Sequence, residues 1–269
     1  MSSLVISSSA FAAPPSQTHN YRHHAFSSHH LAKSPNHFEV IGAIGPANLN
    51  ARNSQLGVTS SETDKLVRSN TNNWTSFAGQ LGVGYVNYFR NAQQYSEKTQ
   101  WFPSIEPQVN FYPLISNTLN GDVWRFNSSA FNDLSYHMPI RSMRLMFDAA
   151  LTIVSKKQNS LYAIAGIGPA WSRVSYNDSD NDTGVPCPDQ RLKLNANTSA
   201  RFAWEVGAGI IHAVNKRVGI SVEYLYADLG KVSFSSGGNT GTITAPVISP
   251  SKFKLTAQTV FLGLHVALN

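Results

Sequence analysis

Residues 218–227, VGISVEYLYA, alternate in a way that leaves few folds open. Successive side chains of an extended strand point to opposite sides. Val218, Ile220, Val222, Tyr224 and Tyr226 therefore share one face, and Gly219, Ser221, Glu223, Leu225 and Ala227 share the other. The first face is apolar and ends in tyrosines; the second is small, polar and carries a carboxylate. A strand with lipid on one side and a polar interior on the other has this pattern, with aromatic residues at the interface. Taken alone, the segment suits one strand of a soluble antiparallel sandwich equally well.

The spacing of the other strand-like segments separates the two. They fall at residues 38–47, 74–89, 101–115, 136–153, 161–175, 201–214, 218–234 and 253–268, which makes eight. The connectors after the second, fourth and sixth are short, at 90–100, 154–160 and 215–217. Those after the first, third, fifth and seventh are long, at 48–73, 116–135, 176–200 and 235–252. This alternation puts every long loop on one side, as in a membrane barrel with short periplasmic turns and long outer loops. A soluble sandwich has no reason to keep that parity. The expected fold is an all-β, eight-stranded antiparallel transmembrane up-and-down β-barrel.

The same inward and outward logic runs through several segments. Gly166, Gly168 and Ala170 share an inner face against Ala163, Ala165, Ile167 and Trp171. Gln80, Gly82 and Gly84 lie inward against Leu81, Val83 and Tyr85, and Glu205, Gly207 and Gly209 against Trp204, Val206, Ala208 and Ile210. In the last segment the outward row Val260 to Leu268 meets Gln258, Thr256 and Lys254 when followed upward. Either the row leaves the lipid there or a bulge switches faces. Alternation is also expected to break near residues 138–143, where Pro139 and Arg141 intervene; both irregularities belong near the outer rim.

Composition agrees. Charged residues are 13 % of the chain, about half the usual share. No apolar run approaches the roughly 18 to 20 residues of a membrane helix. Mean hydropathy of -0.20 does not count against a barrel, whose strands are apolar on one face only. A single cysteine, Cys187, excludes an intrachain disulfide and a cysteine-rich zinc site. Residues 1–12 read as the end of a secretory signal whose true start lies upstream, with Ala10-Phe11-Ala12 as the small-x-small cleavage pattern. Residues 13–37, rich in Ser, Pro and His, read as a disordered periplasmic tail, and residues 38–269 as the barrel.

Eight strands, the EYLYADLG stretch at 223–230, the glycines around Gly166 and the apolar last strand make the chain resemble the small eight-stranded outer-membrane barrels of the OmpA-like and OmpX-like superfamily. It departs from them in closing on Leu268-Asn269 instead of an aromatic residue. The resemblance implies an integral protein of a bacterial outer membrane. It implies a structural role combined with an adhesin-like one exercised through the surface loops. The partners would be lipopolysaccharide and a host or cell-surface ligand; no cofactor is expected.

An eight-stranded barrel is just wide enough for side chains to fill. Its lumen should receive Glu39, Glu106, Arg144, Asp148, Glu205 and Glu223, with Gln80, Gln108 and Asn110. Charges in so narrow a space must pair or stay hydrated, so Arg144 is expected to bridge carboxylates in a polar plug. A small pore is the rival reading. A lipid-modifying enzyme is a weaker one. None of the barrel histidines His137, His212 and His265 has Ser two residues on, and His265 reads as a lumenal histidine with its hydrogen bonds satisfied.

Two metal sites are weaker expectations. Tail histidines His19, His23, His24, His29, His30 and His37 suit weak, exchangeable metal binding. Asp178, Asp180 and Asp182 in DSDNDTG suit calcium by their alternation, but Gly184 is misplaced for an EF-hand and the bidentate glutamate is missing. A solvated loop tip is the alternative there. The net charge of +6 does not argue for nucleic acid, because the basic residues are scattered. Arg52, Lys65, Arg68, Arg125, Arg173, Arg191, Lys193, Lys252 and Lys254 fall instead in the outer loops or at their bases.

Overall fold

The computed structural model describes residues 36–52, 54–58, 62–68, 76–88, 104–156, 158–180, 192–215, 217–235, 238–240 and 252–268. Eight long strands dominate it: β1 (His37–Arg52), β2 (Ser76–Tyr88), β3 (Ser104–Trp124), β4 (Leu134–Lys156), β5 (Asn159–Asp180), β6 (Leu192–Ala213), β7 (Val218–Ser233) and β8 (Lys252–Leu268). Each pairs antiparallel with its neighbours in sequence, and β8 pairs with β1 from Phe38↔Leu268 to Arg52↔Lys254. The ring is therefore closed and has no edge. Closure satisfies every ladder group internally, the condition for crossing a bilayer with strands.

At one end the connections are tight. Lys156 pairs with Asn159 across the β4–β5 turn. In the β6–β7 turn the Asn215 carboxamide oxygen accepts the N–H groups of Arg217 and Val218 at 2.8 and 2.9 Å, a local cap that lets so short a loop reverse the chain. The predicted connector 90–100 lies outside the described residues.

At the other end the expected long loops are largely strand. β3 runs on to Trp124 and β4 starts at Leu134, so residues 125–133 are all that remains of the predicted connector 116–135. β5 reaches Asp180 and β6 begins at Leu192, which shortens the predicted connector 176–200 in the same way. Where β2 stops pairing with β3, a hairpin of short strands, Gln55–Gly57 and Thr63–Arg68, takes over its place beside β3. The wall thus continues well past the lipid.

Hydropathy inverts where the lipid ends. In the lower barrel apolar groups face out: Ile44, Phe77 and Phe202 are 70 %, 75 % and 66 % exposed. Aromatic pairs lie near both edges of this belt, Phe38 with Tyr85 and Trp204 with Tyr226. Farther up β4 the inward row Met138 and Ile140 is apolar, while His137 and Arg141 point out. β5 changes likewise, from Trp171 outside to Arg173 outside, with Val174 and Tyr176 buried. The lower half is a membrane barrel and the upper half a water-soluble one with its own core.

This inversion corrects the expectation of a break at residues 138–143. Inward and outward positions alternate through Pro139 and Arg141 without interruption; what changes is which face is wet. The last strand behaves the same way, with Phe253, Leu255 and Ala257 continuing the inner row as Lys252 and Lys254 leave the lipid. Bulges do occur, between Tyr112 and Ile115 on β3 and opposite Lys254 and Thr256 on β7. At the second, Gly230 takes φ +82°, a left-handed conformation that side chains resist. Its N–H is held by Asp228 at 3.0 Å. The extra residue brings Val232 inward three positions after Leu229.

Candidate functional site

The interior of the membrane half gathers the six expected lumenal residues. Arg144 from β4 and Glu205 from β6 are each 1 % exposed, and Arg144 Nε donates to Glu205 Oε2 at 2.8 Å. The guanidinium lies 3.8 Å from the ring centre of Tyr112, whose hydroxyl donates to Glu205 Oε1 at 2.7 Å. Both oxygens of Glu205 are thus occupied by donors from two other strands. Beside this group Asn110 Nδ2 donates to Asp148 Oδ2 at 2.7 Å and to Gln108 Oε1 at 2.9 Å.

A second group lies nearer the short turns. Glu39 Oε1 meets His265 Nδ1 at 2.7 Å, and His265 Nε2 meets Ser221 Oγ at 3.1 Å. Tyr162 donates to Glu223 Oε2 at 2.9 Å. Among the described residues, the lumenal Glu39, Glu106, Asp148, Glu205 and Glu223 face a single guanidinium, Arg144. The remaining carboxylate oxygens must be met by neutral hydrogen-bond donors or by water. Glu106 Oε1, Asp148 Oδ1 and Glu223 Oε1 have no hydrogen-bond partner among the described residues.

Glycines seat these groups. A Cβ at Gly84 would collide with Glu106 Oε1, one at Gly82 with Asn110 Oδ1 and one at Gly166 with Asp148 Oδ1. The inward glycines thus make room for particular polar side chains that fold back against the wall. Tyr112 and Tyr162 join these groups without having been singled out in the sequence, while Ser221 had been placed on the inner face beside Glu223. The signal for Tyr162 was its parity, since it shares a face with Gly166 and Gly168.

The Glu39, His265 and Ser221 line has the connectivity of an acid, base and nucleophile. Ser221 is 2 % exposed, and its Oγ lies directly over Gly263. The neighbouring backbone of Gly219 to Glu223 and Phe261 to His265 is paired in the β7–β8 and β8–β1 ladders.

Asp178 stands differently from the expected loop tip. It is buried in the upper half, accepting Leu192 N–H at 2.5 Å and the Tyr176 hydroxyl at 3.2 Å. Asp180 ends β5. Asp182 lies outside the described residues, as do His19, His23, His24, His29 and His30; His37 opens β1. Among the described residues no three His, Cys, Asp or Glu side chains converge as a metal site.

Burial raises the Asp178 carboxyl to about 7, outweighing the hydrogen bonds from Leu192 and Tyr176. Burial, with Glu62 nearby, raises Asp64 to about 6. Folding then takes up protons between roughly pH 4 and 7, so the upper half is most stable in acid and loses stability as pH rises through that range. For Asp178 the change is on the order of 4 kcal/mol. Hydrogen exchange of β5 and β6 amides above the lipid should slow on going from pH 7.5 to 5, once corrected for intrinsic exchange. Asp178→Asn should remove most of the difference; an unchanged dependence would count against this carboxyl.

These features define the class: a small membrane β-barrel of the outer-membrane type, with a filled interior. No protein-family model matches the chain, and no curated protein sequence does. Solved structures are similar at low identity. Neisserial surface protein A is 12 % identical, with 86 % of this chain and 97 % of that one covered and a TM-score of 0.39. Ail of Yersinia pestis, solved with the heparin analogue sucrose octasulfate, is 9 % identical over 87 % and 100 %, with a TM-score of 0.40. The outer membrane protease OmpT of Escherichia coli is 9 % identical over 87 % and 98 %, with a TM-score of 0.45.

Proposed function

We propose that this chain is a non-conducting, non-catalytic anchor in a bacterial outer membrane that carries a rigid surface stalk, through which it engages a ligand on another surface. The observation that carries the reading is the filling of the barrel along its length. Arg144, Tyr112 and Phe261 plug the membrane half, and an apolar core that includes Met138, Tyr176, Phe253 and Leu255 fills the upper half. Water and ions cross hydrated paths, and a packed apolar core offers none.

The tip of the β3–β4 hairpin supports the contact role. Phe126 and Phe131 are about half exposed and meet edge to face at 5.8 Å. Phe126 has φ 53°, a left-handed conformation costly for a bulky side chain. Arg125 anchors the tip, pairing with Glu62 at 3.1 Å and Asp133 at 3.3 Å. An ordered tip that presents two aromatic rings to water is suited to stacking on a sugar or packing on a protein.

Planar-bilayer recording on the refolded protein should be silent. Cells displaying it should attach to immobilised glycans or matrix proteins several-fold more than cells displaying a Phe126→Ser, Phe131→Ser variant. Stable conductance steps would favour the small-pore reading instead. Equal attachment would remove the tip from the contact.

A further inference from the structure

We infer that Arg141 and Arg173 form a binding site for the phosphorylated headgroup of an outer-leaflet lipid. The inference rests on the membrane placement of the barrel and is independent of the surface-contact reading. Arg141 on β4 is directly opposite Arg173 on β5 in the antiparallel register, and both are exposed on the outer face. Directly opposed side chains have Cβ atoms about 5 Å apart, and like charges so placed repel. An anion between them converts the repulsion into two charge-assisted hydrogen-bonding contacts, for which the guanidinium fork is shaped.

Two other cations near this height are already engaged. Lys254 Nζ pairs with Asp228 at 2.7 Å, and Arg201 donates to the carbonyls of Lys231 and Ala200 at 2.8 and 3.2 Å. Arg141 and Arg173 have no such partner among the described residues. Their outward neighbours are neutral: Ser116 opposite Arg141 on β3, Thr198 opposite Arg173 on β6, and Pro139 and Ser175 next above them.

Height selects the ligand. One outward position lower on the same strands, Met143 and Trp171 are paired, and below them Phe147 is paired with Ile167; Met143, Phe147 and Ile167 are about half exposed. Two residues along a strand span about 6.6 Å. The arginines therefore stand just above the hydrocarbon edge, within the headgroup layer of roughly 5 to 8 Å on each side. Cation, indole and thioether, then apolar surface follow one another in the order of phosphate, interface and acyl chain.

The test uses the full-length protein in detergent micelles, titrated with bis-phosphorylated lipid A or its dephosphorylated form and read by native mass spectrometry. Wild type should retain the phosphorylated lipid at least tenfold more strongly than the dephosphorylated one. Arg141→Gln with Arg173→Gln should lose at least tenfold, while a charge-matched control, Lys193→Gln with Lys252→Gln, should stay near wild type. Cold-versus-boiled mobility checks that each variant is folded, and the lipid comparison on wild type stands even if a variant is not. Equal retention by the arginine variant, equal loss in the lysine control, or no preference for phosphate on wild type would overturn the site. Displacement of the lipid by millimolar inorganic phosphate would reduce it to a free-anion site and overturn the lipid assignment.

Discussion

Glu205→Ala should destabilise the folded barrel by about 3 to 5 kcal/mol, the usual cost of removing one partner from a buried ion pair. Arg144 would be left 1 % exposed with its guanidinium facing a gap. Tyr112 would lose the acceptor of its 2.7 Å hydrogen bond in the same step. The mutation therefore orphans groups on β3 and β4 while altering β6. Glu205→Gln, which keeps an oxygen for Tyr112 but no charge for Arg144, should fall between wild type and alanine. Replacing the pair together, Arg144→Met with Glu205→Leu, should cost much less than Glu205→Ala alone, because no buried charge remains. Denaturant midpoints in micelles, followed by tryptophan fluorescence, give the comparison. If the double replacement costs as much as the two single ones added together, the pair is not the unit that stabilises the lumen.

Phe253→Ala should cost a similar amount, about 3 to 5 kcal/mol, but in a different place. Phe253 is 1 % exposed and touches Phe234 at 5.1 Å between ring centres. Phe234 meets Tyr176 at 5.7 Å, and Tyr176 stacks on Tyr136 at 6.2 Å. The chain of rings ties β8, β5 and β4 together with the residue that follows β7, above the lipid. Its loss should open the upper half to protease while the membrane half still shows the cold-versus-boiled mobility shift of a closed barrel. Simultaneous loss of the shift would mean that the two halves fold as one cooperative unit.

Much of this architecture is legible in the chain before any coordinates. Ile220, Val222 and Tyr224 face out and Ser221, Glu223 and Leu225 are buried, as a period of two requires. The parity of connector lengths marks which end carries the long hairpins. The extent of those hairpins is not legible, because a strand that passes from lipid into water exchanges its apolar and polar faces. Met138 and Ile140 then look like a break in the pattern, although the backbone alternates through them unchanged.

Inward parity also placed the charged lumenal side chains on the inner face, but did not give their partners. Glu39 and His265 are 226 residues apart and meet because β1 closes on β8; Arg144 and Glu205 are 61 apart and meet across the lumen. Alternation is a local consequence of backbone geometry, so the sequence by itself determined the strand class, the lipid-facing rows and the set of inward side chains. Which inward groups meet, and which outward arginines come to stand opposite each other, depends on inter-strand register. Ring closure sets that register, together with the bulges on β3, β4, β6 and β7, and only the tertiary structure decided it.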